Sequence, residues 1–486
     1  SVILIIITKK QLDITYEQNI KINNENLRIQ NLPLLKYYFT YDVIDGSLFD
    51  DNHKLILSKN DGEINSLLNF TMEIENIGLN AVRKVYLEVR SDLLNEKEIF
   101  ELCNQSSIEK TQKIKKIIDE AAANGGGVIY IPEGIYKSGS LFFKQGTHLY
   151  LSKGATLLGS ENIMDFPLLM TRIEGEYCKY FGALINADGL DTFTISGKGT
   201  IDGNGTPYWK AFRLRREWNP QCTNKDEMRP RLLYIAHCRN VQVADVTLQN
   251  SPFWTSHYYR CDKVKLLNLR IFSPIKPIKS ASADGIDMDV CTNFHIKGCR
   301  FTVNDDAICF KGGKGPYADQ DTYNGPNKNI LIEDCFFDHT TGSCMTCGSE
   351  SIHVYNVLMR NRRAEGGNEL LLLKMRPDTP QHYEYITVEN VKGFCKALLG
   401  VSSWKQFYDL KGRTTIPKSY GSHITMHNIE LKCDKFLNVN KNEAEYELSN
   451  FSFKDVKIET KFSQWNKDAF HNIRMKNVIV NGQYQQ

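Results

Sequence analysis

Three aspartates, Asp284, Asp305 and Asp306, are the side chains of this sequence best placed to do acid–base chemistry together. They lie in the stretch from Ser282 to Gly313, with Asp284 standing alone and the adjacent pair following about one coil of chain later. Between them the residues alternate as a strand does: Phe294 and Ile296, then Cys299, Phe301 and Val303. If that segment makes one turn of a stacked β-coil, Asp284 returns beside the pair at the strand spacing of about 4.8 Å. Like charges held that close cannot all ionise freely, so one pKa rises and a general acid stands beside general bases. That is the equipment of glycosidic hydrolysis. Asp-Gly and Asp-Asp also mark ordinary solvated turns; the strand pattern around all three carboxylates argues for more than turns.

A stack of coils is what could hold them. From about Gly154 onward one unit recurs: an apolar alternation, a polar break, then a second alternation. Its starters are Phe193, Val241, Val264, Phe294, Ile330, Ile352, Ile386, Ile424, Phe451 and Ile473. From Val241 on they fall about 22 to 38 residues apart, as in solenoid coils with loops inserted on one side. Such uneven spacing does not suit most helical repeats or propeller blades. Asn240, Asn293 and Asn329 sit just before starters, where side-chain amides can bond along a corner. Cys238, Cys261 and Cys291 recur at one phase, and Cys299 and Cys335 at another, as small core side chains stacked inside a coil would. Parallel crossovers favour one hand. The expected fold is therefore all-β, a right-handed parallel β-helix over residues 95–486.

Two elements should precede the stack. Ile114, Ile117, Ile118 and Ala121 have helical spacing, behind a capping box of Ser106 and Glu109 and ahead of Asn124-Gly125-Gly126-Gly127. Such a helix would close the open end of a solenoid. Residues 1–94 show short strands with polar turns, among them Phe70-Met72-Ile74 and Val85-Leu87-Val89, and are expected to form a small immunoglobulin-like β-sandwich. The opening Ser1–Ile7 lacks a basic leader and a small-residue cleavage site, and reads as a buried strand.

Composition narrows the partners. The net charge of +3 implies neither nucleic acid nor a membrane surface, and no run approaches the roughly 18 apolar residues of a membrane span. The 13 cysteines are odd in number, against a complete disulfide framework. Cys344 and Cys347 form a lone CxxC without a second pair at zinc spacing, so neither metal nor cofactor is expected.

At these residues the chain resembles glycoside hydrolase family 28, the polygalacturonase family, whose β-helix is of the pectin-lyase-like kind. The resemblance runs from about Ile108 to Val480. Ile131-Pro132-Glu133-Gly134 is similar to the family's entry to the first coil, and Gly197-Lys198-Gly199-Thr200-Ile201-Asp202-Gly203 to its G-x-G-x-I-D-G coil. Asn250-Ser251-Pro252-Phe253-Trp254 is similar to the segment before its catalytic coils. Ala283-Asp284-Gly285-Ile286-Asp287 matches N-T-D-G-I-D from the aspartate on, and Asn304-Asp305-Asp306-Ala307 matches the G-D-D element with Asn for Gly. The resemblance implies a general acid at Asp305, water-activating bases at Asp284 and Asp306, and single displacement with inversion. Lateral offset along the coil is expected to carry acid and base to the separation that admits a water.

The departures point to specialisation. Gly342-Ser343-Cys344 stands where the family has G-H-G, ahead of Gly348-Ser349, and Leu372-Leu373-Lys374 stands for R-I-K. The lysine is kept while the histidine and arginine are lost, and Arg376 is a candidate to replace that arginine. Arg172 and Glu174 resemble a family segment beside the sugar site. Lys311 and Lys374 are candidates for a uronate carboxylate, and His257 is a candidate cleft residue against the alternative of a satisfied buried histidine. Arg213, Arg215, Arg216, Arg229 and Arg231 suit an acidic glycan or a solvated loop. The leading expectation is a secreted or periplasmic hydrolase of α-galacturonosyl linkages in pectic polysaccharide, exo-acting or side-chain specific, with loops after Gly203, Gly313 and Val401 walling the groove. The alternatives are a β-helical hydrolase of a neutral glucan and a non-catalytic glycan-binding β-helix such as an adhesin. Lyase chemistry would want a calcium-binding acidic cluster that does not stand out.

Overall fold

Strict alternation turns one row of each strand inward and the next outward. When coils stack in register, the inward rows pile into one continuous core. That is what the computed structural model shows over residues 107–485, the described part of the chain together with the short strands Leu4–Ile6, Lys21–Ile22 and Glu25–Asn26. A 30-stranded sheet winds through the coils, its strands paired in parallel between successive turns. The column Phe193, Val241, Val264, Phe294, Ile330, Val357, Ile386 and Ile424 runs in register up the inside, and every member is buried. Val357 takes the place expected for Ile352: the chain leaves the preceding coil through Gly348–Ser351, and the strand begins only at His353. The fold is a parallel β-helix, as the alternation implied.

Each coil around the aspartates carries three strands. One turn runs Ile286–Asp289, Thr292–Lys297 and Arg300–Val303, and the next begins at Ile308–Lys311. The corners are fixed by residues that tolerate positive φ. Asn293, Asn329 and Asn356 lie at φ 54°, 58° and 55°. Asn329 donates to Asn293 at 3.1 Å and Asn356 to Asn329 at 2.7 Å, making the expected ladder, while Asn240 bonds Asp191 instead. Cys238, Cys261, Cys291, Cys299 and Cys335 are buried free thiols inside the stack.

The helix Ser107–Ala123 closes the first coil with Ile114, Ile117, Ile118 and Ala121 on its buried face. It ends at Ala123, and the chain turns away at Gly126, whose φ of 105° and contact with the Gly146 backbone leave no room for a side chain. The capping box at Ser106 and Glu109 and the β-sandwich expected over residues 1–94 lie outside the described side chains. Leu4–Ile6 pairs antiparallel with Gly127–Ile131, adding a strand to the first coil.

Candidate active site

The backbone ladder continues past the strands into the turns that precede them. The Thr255 N–H donates to Asp284 O, Gly285 N–H to Asp306 O and Ala307 N–H to Ser343 O, at 2.9, 3.0 and 2.9 Å. Asp284 and Asp306 are thus register neighbours one coil apart, and Asp305 stands beside them. Asp284, Asp305 and Asp306 each offer an oxygen, and these oxygens lie within 4.8 Å of one another.

The three carboxylates are not equivalent. Asp284 and Asp305 line a cleft of about 380 Å³, whereas Asp306 lies beneath it. Both oxygens of Asp306 are taken, Oδ2 by the Lys374 ammonium at 2.6 Å and Oδ1 by the Ser343 N–H at 2.7 Å. Burial alone would raise its pKa, but Lys374 and these hydrogen bonds override it and hold Asp306 below the usual carboxylate range. Burial and then the neighbouring Asp306 charge raise Asp305. Burial, Asp305 and Asp287 push Asp284 well above its ordinary value. Burial and mutual repulsion thus favour the neutral form of the two carboxyls that face the cleft, while Lys374 favours the ionised form of the third.

Cations surround this acid group. Lys311 Nζ lies 3.8 Å from Asp284, 3.7 Å from Asp287 and 3.4 Å from Glu350, and 4.8 Å from the Trp254 ring centre. Lys374 lies 4.4 Å over the ring of Trp404, which begins the loop after Val401. The chain after Gly203 forms the helix Thr206–Trp218, anchored by Trp209, whose indole N–H donates to Ser251 O at 3.2 Å. It turns Arg213 and Arg216 to the cleft, and Arg213 pins the backbone of Lys279 and Ser280. Glu174 lines the cleft too, accepting from Asn224 at 2.7 Å.

Other candidate residues end up below the surface. Arg172 and His257 are fully buried, and both bind Asp289, at 3.1 and 3.3 Å. His257 accepts from Arg231 on Nδ1 at 2.8 Å; burial holds its imidazole down to about 4, so it is neutral and donates to Asp289. Arg229 is buried as well, 3.8 Å from the Phe212 ring centre. Arg376 spends its guanidinium on Asp378, at 2.8 Å, and on the carbonyls of Gln406 and Phe407, bracing the loop that carries Trp404. None of Arg172, His257 and Arg376 lines the cleft. Glu350, Asp287 and Trp404 join the site beyond the residues expected there. Asp287 follows from the outward phase of Ile286–Asp289, and Glu350 from its place after Gly348-Ser349; Trp404 carries no signal in one sequence. Burial pushes Asp287, directly under Lys311, up to about 7.

The sequence model of the glycosyl hydrolases family 28 matches residues 168–432, more than half of the chain and the whole of this site. The chain belongs to family 28. A probable polygalacturonase of Vitis vinifera is 26% identical over 256 residues, 50% of this chain and 50% of the relative. An exo-poly-alpha-D-galacturonosidase of Dickeya chrysanthemi is 26% identical over 293 residues, 52% of this chain and 47% of the relative. The chain thus spans about half the length of these curated relatives. A hyperthermoactive exopolygalacturonase from Thermotoga maritima shares the fold with a TM-score of 0.66 at 22% identity, over 77% of this chain and 88% of that one. Ser343, expected in the place of the family histidine, puts its N–H on Asp306 and its hydroxyl on Glu369 at 2.7 Å. Leu372, expected in the place of the family arginine, is buried.

Proposed function

We propose that the chain is a glycoside hydrolase that cleaves α-galacturonosyl linkages of pectic material by single displacement, acting at chain ends or on side chains. The observation that carries this is the cluster of Asp284, Asp305 and Asp306, with oxygens within 4.8 Å of one another, at a cleft also lined by Lys311, Lys374, Arg213, Arg216 and Lys279. Asp305 is the general acid, Asp306 the base toward the water, and Asp284 positions that water. The lining cations favour a polyanionic glycan over a neutral glucan, and a poised acid favours turnover over adhesion. The names of the relatives, polygalacturonase and exo-poly-alpha-D-galacturonosidase, support the linkage. Walls contributed by the helix Thr206–Trp218, residues 279–282 and the Trp404 loop support exo action. This reading places the protein's work outside the cytoplasm; the described thiols, all but Cys178 buried, are shielded enough to stay free there.

Oxygens of the three aspartates lie within 4.8 Å of one another, so proximity alone leaves room for a nucleophilic role. Occupancy argues the other way. Retention needs an ionised carboxylate free to attack carbon, and the one held ionised has both oxygens bonded and lies beneath the cleft. Asp306 can orient a water but is poorly disposed to form a covalent bond. Proton NMR of the first product, read before mutarotation, should therefore show β-configured galacturonate from an α-linked substrate. An α-configured first product would mean a covalent intermediate, and the roles given to these aspartates would fall.

The same charges set the pH profile. The acid proton is present below the raised pKa of Asp305 and lost as pH climbs through it, while Asp306 stays ionised to below the usual carboxylate range. Activity as kcat/KM should decline as pH climbs through the raised pKa of Asp305. A profile with no alkaline decline would contradict the acid assignment.

A further inference from the structure

A second cluster of reactive side chains lies on the outer face of the coils, away from the cleft. His353 and His382 are register partners on the adjacent strands His353–Glu365 and His382–Phe394. Their rings stack 5.3 Å apart and 9° from parallel. Glu384, two residues along the second strand, reaches both: Oε1 lies 2.9 Å from His353 Nε2, and Oε2 lies 3.4 Å from His382 Nε2. The three donor atoms fall within 4.8 Å of one another.

We propose that His353, His382 and Glu384 form a binding site for a zinc-class divalent cation that ties two successive coils together. Two imidazoles and one carboxylate are a donor set for zinc, copper or nickel and too nitrogen-rich for calcium or magnesium. Metal bonds of about 2.0–2.2 Å put tetrahedral donor atoms about 3.3–3.5 Å apart, close to the separations from Glu384 to each imidazole. The side chains remain 33%, 42% and 18% exposed, so further positions on the ion are open to water. Charge agrees as well. Among the described residues no lysine or arginine pairs with Glu384, whose ion-pair partners are these two histidines. Tyr355 against His353 and Tyr420 against His382 flank the imidazoles and limit their swing, with ring centres 4.6 and 6.0 Å away. The aspartate cluster of the cleft differs in this respect: Lys311 and Lys374 already sit where a cation would.

The test uses the chelator-treated, tag-free protein at pH 7.5 with zinc chloride as the probe. Calorimetry should show one ion per chain, and the thermal midpoint should rise with zinc because the ion binds only the folded coils. Removing groups that merely hydrogen-bond to a metal ligand costs about 10–100-fold in affinity, so His353→Gln and His382→Gln should each lose at least about tenfold. Asp305→Asn should bind zinc as the unaltered chain does. The absence of stoichiometric zinc binding, or Gln variants that bind normally, overturns the proposal. If a Gln variant does not fold, cobalt(II) added to the unaltered protein decides. Visible bands of a tetrahedral nitrogen and oxygen site support the assignment. A thiolate charge-transfer band would place the ion at Asp284, Asp287 and Cys309, the one such donor group among the described residues that includes a sulfur, and overturn it.

Discussion

Asp305→Asn should lower turnover of a natural galacturonan oligosaccharide by about 10²–10⁴-fold, the range in which a positioned general acid contributes. Its thermal midpoint should stay near that of the unaltered chain. The amide is nearly isosteric: its Oδ1 can still accept from the Asp306 N–H, as the carboxylate does at 3.0 Å, and the backbone carbonyl keeps the Thr340 hydroxyl at 2.7 Å. Removing a carboxylate from beside Asp284 and Asp306 also relieves like-charge repulsion, so stability has reason to hold or rise. The loss should fall on kcat, because protonating the leaving oxygen matters in the transition state more than in binding. A leaving group that needs no proton, such as fluoride on galacturonosyl fluoride, should recover most of the rate. Near-normal turnover of the natural glycoside, or equal loss with the fluoride, would sink the acid assignment.

How far such a site is legible in residue order alone depends on which physical rule acts. Alternation along Phe294–Val303 is enough to bring Asp284 beside Asp305 and Asp306, because a coil must return to its own start and parallel strands have a fixed spacing. The column of starters is legible for the same reason. Ile352 misleads because it is apolar at a plausible interval, yet the chain there is still leaving the coil through Gly348–Ser351. Alternation separates inside from outside but does not say which outward row becomes covered. Arg172, Arg229, Arg231 and His257 have polar types suited to a cleft. They are buried all the same, once the inserted helix Thr206–Trp218 and the hairpin Leu168–Phe181 fold over that face and Asp289, Asn224 and backbone carbonyls bond most of their polar atoms. Trp404 is invisible in the sequence because an insertion's landing point is set by tertiary contacts, here the hold of Arg376 on residues 406 and 407. The separation of acid and base is not legible in residue order either, because it depends on side-chain direction at a turn.

Lys374→Met is expected to show two separable losses. Lys374 and Asp306 are largely buried, with side chains 12% and 3% exposed, so removing the ammonium leaves a carboxylate without its counter-charge. Breaking a buried pair from one side costs about 3–5 kcal/mol, and the thermal midpoint should drop accordingly. Without Lys374, burial prevails and Asp306 rises, so the acid limb of the kcat/KM profile should move to higher pH. The second loss is specific to substrate. Lys374 lines the cleft with its ammonium over Trp404, within reach of a sugar lying against that ring. A charge-assisted hydrogen bond to a uronate contributes about 1.5–3 kcal/mol, or about 10- to 150-fold. Oligogalacturonate should therefore lose that much more affinity than the same oligomer reduced to galactose, measured by calorimetry on an Asp305→Asn background so that neither ligand is consumed. Equal losses on both ligands, with the midpoint still lowered, would make Lys374 a partner for Asp306 alone and leave the uronate carboxylate to Lys311 and the arginines of the inserted helix.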